Sequence, residues 1–234
     1  LLIRNGVCAT PSGLASVNIG VRAGRVADLG ALSGAAAVET FDASGLHVLP
    51  GVIDTHVHFR EPGHLEKEDM ETGSTAALLG GVTAVFEMPN TNPPTTTRAL
   101  IEDKLSRASR RMRCDYAFYV GASNENIGAL YELERLSGIA GVKAFLGSST
   151  GSLLLDKEEA IANALRSGRR RMAVHSEDEA RLKERAKLAM PGDPRTHPVW
   201  RDAETARRST ERVLKLARAA GRRLHILHAS TADE

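Results

Sequence analysis

The sequence is poor in the features that mark secreted and membrane proteins. Only two of its 234 residues are cysteines, Cys8 and Cys114, and they lie far apart, so a disulfide framework is excluded and a reducing compartment is favoured. No apolar run approaches the ~20 residues that cross a bilayer, and the first residues lack the apolar segment of a signal peptide. We therefore predict a cytoplasmic protein with no membrane partner.

An excess of one charge is also lacking. The chain carries 31 Lys and Arg against 29 Asp and Glu, a net charge of +2 that is too small to argue for nucleic acid as a partner. Basic residues do cluster at 104–113 and 166–171, and each cluster follows an amphipathic helical stretch. Because cations complement the carboxyl end of a helix, we interpret both clusters, Lys104 included, as solvated faces.

From residue 51 onward, apolar strand-like runs alternate with amphipathic helical runs. The pattern predicts strands at 52–58, 83–88, 116–120, 141–146, 172–175 and 224–228, and helices at 70–79, 98–111, 125–136, 157–166, 177–190 and 203–219. Such alternation predicts an α/β fold with a parallel sheet, either doubly wound or closed into a (β/α)8 barrel. No Gly-x-Gly-x-x-Gly follows the first strand, which argues against a dinucleotide-binding sheet and favours the TIM-like barrel.

The predicted domains are a small β-sandwich-like subdomain at 1–50 and a barrel domain at 51–234. Residues 1–50 are rich in Gly and Ala, with short β-like pieces and a hairpin turn at 22–24. Only six strand–helix units are found, whereas a closed barrel needs eight. We expect a fragment that is trimmed at its start and continues roughly a hundred residues or more beyond Glu234. The alternative is that something else completes the barrel.

Two histidines at the end of the first predicted strand are the most informative pair in the chain. His56 and His58 are two residues apart, and side chains at i and i+2 of a strand point to the same face. Both imidazoles can therefore reach one point, and imidazole suits Zn²⁺ and similar metals. The pair alone is equally consistent with two unrelated histidines, so its weight depends on further ligands at later strand ends.

Those further ligands occur on three later strands. Lys143 lies inside an apolar strand, where a bare ammonium is costly to bury. It is either a salt-bridged or snorkelling lysine, or a lysine carbamylated by CO₂ that could bridge two metals. His175 and His228 end the fifth and sixth strands, whereas His225, an odd number of residues from His228, is expected to face away.

Two polar residues follow the first and second strands, in a position to bind a substrate. Arg60 lies two residues beyond His58, and its guanidinium can hold a carboxylate with two hydrogen bonds. Asn90 follows the second strand in a loop stiffened by prolines, although an asparagine there is also ordinary turn chemistry. A positive side chain beside a metal site favours a small anionic substrate.

Three motifs together resemble dihydroorotase of the amidohydrolase superfamily. They lie at residues 54–63 (DTHVHFREPG), 80–91 (GGVTAVFEMPNT) and 224–231 (LHILHAST), and the resemblance runs from about residue 45 to the end. It implies a reversible, zinc-dependent hydrolysis of the cyclic amide of (S)-dihydroorotate to N-carbamoyl-L-aspartate in pyrimidine biosynthesis. A homodimer, and an association with aspartate carbamoyltransferase, are further expectations.

The resemblance also assigns roles to residues of this chain. It implies two Zn²⁺ per chain, the more buried one on His56 and His58, the other on His175 and His228, and both bridged by carbamylated Lys143. Arg60 and Asn90 would hold the substrate carboxylate. The family's eighth-strand Asp, which binds metal and shuttles the proton, has no counterpart up to Glu234, so the catalytic acid–base group is expected beyond that residue.

Three alternatives remain open at this stage. Hydantoinase (dihydropyrimidinase) and allantoinase resemble the same site, but they lack Arg60 in the proposed role. A dihydroorotase-like barrel without activity, acting as a partner of aspartate carbamoyltransferase, belongs to a different class. The retention of all five predicted metal ligands argues against this last alternative.

Overall fold

The computed structural model describes residues 1–148 and 153–234. By contacts between Cα atoms, the chain divides into two compact units, Leu1–Val52 and Ile53–Glu234. Among the described residues, no helix is both long enough and apolar enough to cross a membrane. Both cysteines, Cys8 and Cys114, are free thiols in buried positions.

The first unit consists of short strands in two small sheets. The strands are β1 (Leu2–Arg4), β2 (Val7–Thr10), β3 (Gly13–Ser16), β4 (Asn18–Arg22), β5 (Arg25–Gly30), β6 (Thr40–Asp42) and β7 (His47–Val48). One sheet has the order β5-β4-β1-β6 and the other β3-β2-β7. The predicted hairpin turn is confirmed, because Ala23 and Gly24 link antiparallel β4 and β5 with positive φ angles of 49° and 72°. Strands β2, β3 and β6 were not predicted.

The second unit contains six parallel strands in one sheet with the order β13-β12-β11-β10-β9-β8. They are β8 (Val52–Val57), β9 (Val82–Glu87), β10 (Asp115–Gly121), β11 (Ile139–Phe145), β12 (Met172–His175) and β13 (Leu224–Ile226). Each strand pairs with the next one along the chain, and helices connect them. This is the arrangement of consecutive units of a (β/α)8 barrel, so the predicted fold class is confirmed.

The helices of the second unit are α1 (Met70–Leu79), α2 (Arg98–Ala108), α3 (Leu130–Leu133), α4 (Glu158–Arg166), α5 (Glu179–Arg185), α6 (His197–Trp200) and α7 (Ala203–Ala220), with 3₁₀ turns at Ile127–Ala129, Ala186–Leu188 and Pro194–Thr196. Asp178 caps α5 by accepting a hydrogen bond from the backbone of Arg181, so the helix begins at residue 179 and not at 177. The helix predicted at 125–136 is wrong in extent, since only a 3₁₀ turn and one α-turn form there.

Alternation along the strands divides the side chains between the two faces of the sheet. Val142 and Ala144 belong to the large apolar core under the helices. Tyr119 and Ala173 belong to a second, smaller buried cluster. Lys143 lies between Val142 and Ala144 and is the register partner of Ala173, so it points to the same inner face as that second cluster.

Candidate metal centre

His56 and His58 form the first pair of candidate ligands, at the carboxyl end of β8. Val57 between them packs against the helix-facing core, so both imidazoles point to the inner face. Their Nε2 atoms lie 3.2 Å apart, and the ring centroids are separated by 5.2 Å. The structure therefore brings this pair together as the sequence predicts.

His175 and His228 form the second pair. Nδ1 of His175 lies 3.1 Å from Nε2 of His228, and the ring centroids are 4.9 Å apart. The ring of His228 also lies 5.6 Å from that of His56, which places the second pair beside the first. All four predicted histidines are thus gathered at the ends of three strands.

The spacing within each pair fits metal binding. Two imidazole nitrogens at 2.0–2.1 Å from one tetrahedral Zn²⁺ are about 3.3 Å apart, close to the 3.2 and 3.1 Å observed. In the part of the chain that the structure describes, no three His, Cys, Asp or Glu side chains form a group that could hold a metal by themselves. Each pair would therefore need Lys143 or further ligands to complete a coordination shell.

The first pair is uncharged near neutral pH. Burial lowers the pKa of His56 to about 4, with the nearby charge of Lys143 as the next cause. Burial also lowers the pKa of His58 to about 3, followed by the charge of Arg60. Because a metal binds the neutral imidazole, these shifts leave the nitrogen lone pairs free for a metal over the physiological pH range.

Lys143 is buried on the inner face of β11, with 1% of its surface exposed. Its Nζ lies 4.4 Å from the ring centroid of Phe145. Burial lowers the pKa of Lys143 to about 7, so a large share of the side chain is a neutral amine at neutral pH. A neutral amine is the form that adds to CO₂, which makes this lysine chemically competent for the carbamylation that a bridging ligand requires.

Arg60 and Asn90 both act on His58 of the first pair, Arg60 through its charge and Asn90 through a hydrogen bond. Arg60 is half-buried in a left-handed conformation with φ of 64°, and its charge is the second cause of the lowered pKa of His58. The side chain of Asn90 is buried and hydrogen-bonded to His58. The two predicted substrate-binding residues therefore lie next to the same candidate ligand.

The loops that carry these two residues pack directly on each other. The backbone N–H of Asn92 donates to the carbonyl of Pro62 at 3.0 Å. Gly63 has φ of 101°, and a Cβ there would lie 2.4 Å from the carbonyl oxygen of Asn92, so only glycine fits this close approach. Glu61 anchors the loop that carries Arg60, because its carboxylate accepts a hydrogen bond from the backbone N–H of Met70 at 3.1 Å and pairs with Arg111 at 2.6 Å.

Lys104 is the first position at which the structure corrects a sequence-based prediction. The prediction that Lys104 belongs to a solvated basic face is wrong, because Lys104 is fully buried and pairs with Glu87 at 2.6 Å. Lys104 shares the buried face of α2 with Ile101 and Ala108, a pattern that the basic run at 107–113 hides. Its partner Glu87 lies in the motif at residues 80–91.

His225 is the second correction. The prediction that His225 faces away from the site is wrong, because it is the register partner of Ala173 and so shares the inner face with Lys143. Its charge also contributes to lowering the pKa of His56. Counting residues failed because β13 ends at Ile226 and His228 has φ of 40°, which turns its ring back toward the site.

Glu177 is the residue of the site that the sequence analysis missed altogether. Its Oε2 lies 2.6 Å from Nε2 of His175, and its carboxylate also pairs with Arg201. Burial raises the pKa of Glu177, but the hydrogen bond with His175 and the charge of Arg201 outweigh burial and hold the pKa below its ordinary value.

A cavity of about 770 Å³ opens beside the second histidine pair, and its lining includes His175, His228, Glu177, Trp200 and Arg201.

The chain shares sequence with two bacterial allantoinases. It is 33% identical over 239 residues to the allantoinase of Deinococcus radiodurans, covering 99% of this chain and 53% of that protein. It is 34% identical over 250 residues to the allantoinase of Escherichia coli K12, covering 100% of this chain and 54% of that protein. The chain therefore spans about half the length of the curated relatives it matches.

Solved structures of hydantoinases share its fold. The L-hydantoinase (dihydropyrimidinase) from Arthrobacter aurescens superposes with a TM-score of 0.89 at 27% identity, covering 99% of this chain and 53% of that one. The D-hydantoinase from Bacillus sp. AR9 superposes with a TM-score of 0.86 at 26% identity, covering 99% and 52%. The model of the Amidohydrolase family matches residues 47–230, and the chain belongs to this family.

Proposed function

We propose that the chain carries the metal-binding half of a metal-dependent amidohydrolase that opens a cyclic amide of the allantoin and hydantoin type. One observation carries the proposal: two histidine pairs, with nitrogen separations of 3.2 and 3.1 Å, lie at the carboxyl ends of barrel strands. The names of the similar proteins, allantoinase and hydantoinase, support this substrate class over the dihydroorotate that the motifs suggest.

The residues present would hold two metals in a defined way. His56 and His58 would bind one ion and His175 and His228 the other, with carbamylated Lys143 between them; zinc is the proposed metal. When bound, such a pair of ions lowers the pKa of water and polarises an amide carbonyl. Neutral His56 and His58 and a buried amine whose pKa is about 7 belong to the donor set that this chemistry requires.

The chain's own polar residues would bind and orient the ring. Arg60 brings a fixed positive charge and several N–H donors to one side of His58, and Asn90 brings a buried amide to the same histidine. These groups suit a carbonyl oxygen or a carboxylate of the substrate. The packed loops at Gly63 and Asn92 hold both residues in place before the substrate arrives.

Dihydroorotate is the second candidate substrate, and Arg60 is the observation that favours it. A ring that bears a carboxylate can pair its negative charge with a guanidinium at two points, whereas uncharged allantoin or hydantoin offers only neutral oxygens to the same cation. The homodimer and the association with aspartate carbamoyltransferase stay predictions attached to this second candidate.

The test compares turnover of three cyclic amides by the protein, expressed at the full length of its gene and loaded with Zn²⁺ and bicarbonate. We expect hydrolysis of allantoin or hydantoin with kcat/KM at least tenfold above that for dihydroorotate. A reversed preference would replace the proposed substrate by dihydroorotate. Metal binding without turnover of any of the three would favour the non-catalytic barrel.

A further inference from the structure

The contact between His175 and Glu177 fixes which ring nitrogen of His175 carries a proton. Oε2 of Glu177 lies 2.6 Å from Nε2 of His175, and a carboxylate can only accept a hydrogen bond. The proton of the neutral ring therefore lies on Nε2. The lone pair then lies on Nδ1, the nitrogen that faces Nε2 of His228 at 3.1 Å.

Glu177 is itself held from its other side. Arg201 pairs with the carboxylate of Glu177 and donates from Nη2 to the backbone carbonyl of Ser148 at 2.8 Å. The guanidinium also lies over the ring of Trp200, 4.3 Å from its centroid. His175, Glu177 and Arg201 border the cavity but expose only 12%, 15% and 18% of their side chains, so water screens these contacts only in part.

We propose that Glu177 and Arg201 are positioning residues that select the Nδ1 lone pair of His175 for the second metal. The carboxylate fixes the tautomer and the ring orientation, and Arg201 fixes the carboxylate relative to the end of β11 and to Trp200. This inference rests on the proposed function, since the orientation of His175 matters only if His175 binds a metal. Partners of this kind typically change metal affinity by about 10–100-fold.

The experiment has two readouts on the full-length protein. Long-range ¹H–¹⁵N NMR spectra of the metal-free protein report the tautomer of His175, whose signals are assigned by their loss in His175→Gln. Titration with Co²⁺ or Zn²⁺ reports metal affinity. Glu177→Ala removes the acceptor, Glu177→Gln keeps an acceptor oxygen, and Arg201→Met removes the anchor of the carboxylate.

Glu179 offers the matched control on the same segment. It is a buried carboxylate that accepts hydrogen bonds from the backbone N–H and the hydroxyl of Ser148, at 2.7 and 2.8 Å. The carboxylate that is hydrogen-bonded to His175 belongs to Glu177. Glu179→Ala should therefore keep the Nε2–H tautomer of His175. A loss of that tautomer in Glu179→Ala and Glu177→Ala alike would reveal a general loosening and overturn the proposal.

The expected results separate this inference from the proposed function. Wild type and Glu177→Gln should keep the Nε2–H tautomer, whereas Glu177→Ala should lose it and bind metal about 10–100-fold more weakly. Arg201→Met should change the tautomer of His175 and the metal affinity in the same direction as Glu177→Ala, by a smaller factor. This second variant still tests the inference if Glu177→Ala fails to fold. If the wild type binds metal and the Glu177 and Arg201 variants keep its tautomer and its metal affinity, this inference is overturned and the proposed function is not. A wild type that binds no metal overturns both.

Discussion

Glu87 and Lys104 form an ion pair of 2.6 Å in which both side chains are almost wholly buried. Nζ of Lys104 also donates to the carbonyl of Met88 at 3.2 Å and to Oγ1 of Thr95 at 3.3 Å. The lysine thus joins helix α2 to the end of β9 and to the loop that carries Asn90. The pair is a buried support for the loop that carries Asn90, a predicted substrate-binding residue.

Removing the lysine should destabilise the protein strongly. Lys104→Met leaves the buried carboxylate of Glu87 without its cation, and breaking one half of such a pair costs about 3–5 kcal/mol. Arg107→Met on the same helix is the control, because Arg107 and Asp103 form an exposed pair that contributes about 0–1 kcal/mol. Urea unfolding measures both. Equal losses of unfolding free energy in the two variants would show that the buried Glu87–Lys104 pair stabilises the protein no more than an exposed pair does.

Sequence reasoning predicts the barrel well because its signals are local. Strand β12 was predicted with its observed bounds and β8 within one residue, since apolar runs between polar turns are readable one at a time. The histidine pairs follow from the same logic, because strand ends on one edge of a parallel sheet meet in space.

What sequence reasoning misses depends on contacts between distant segments. The partner of Lys104 is 17 residues away on another element, and nothing local distinguishes this lysine from its solvated basic neighbours. The relative orientation of His225 and His228 depends on a backbone turn at His228, where φ is 40°. Counting residues along a regular strand cannot detect such a turn. Glu177 is recognisable only once the ring of His175 is placed.

The stability of the metal-free protein should fall as the pH falls below neutrality. His56 and His58 have pKa values of about 4 and about 3, below the ordinary 6.5, so the unfolded chain binds more protons than the folded one between these values. The stabilisation that comes from keeping His56 and His58 neutral is fully present above pH 6.5 and is lost as the pH falls toward 4 and 3. Because both rings are only partly buried, we expect about 1 kcal/mol for each ring between pH 7 and 5.

Denaturant unfolding at a series of pH values measures this dependence. The double variant His56→Asn/His58→Asn should flatten the slope of unfolding free energy between pH 7 and 5. His64→Asn, on an exposed part of the following loop, is the control that should keep it. An identical slope in wild type and the double variant would contradict the assigned pKa values.

Lys143 should be required for the bridged metal. Lys143→Ala removes the only side chain on β11 that can supply a bridging carbamate, so bound zinc should fall from about two to about one or fewer per chain. Short carboxylic acids should restore part of the metal and of the activity, because their carboxylate replaces the carbamate. Full metal content in Lys143→Ala, measured by atomic absorption, would show that the lysine is not a ligand.

Arg60 should separate the two candidate substrates. If dihydroorotate is the substrate, Arg60→Met should cost on the order of 2–5 kcal/mol in transition-state stabilisation, because the substrate carboxylate loses its partner. If the ring carries no charge, the loss should be smaller, because Arg60 then contacts only neutral oxygens of the substrate. The control is Arg98→Met, which removes an exposed arginine paired with Glu102. Metal content should stay unchanged in both variants.

The most direct test of the account is an anomalous difference map, recorded at the zinc edge from crystals of the full-length protein grown with Zn²⁺ and bicarbonate. We predict two peaks, one bound by Nε2 of His56 and His58 and the other by Nδ1 of His175 and Nε2 of His228, about 3.5–4 Å apart. Zinc bound elsewhere, or no peak at either histidine pair, would contradict the proposed metal centre and the amidohydrolase activity built on it.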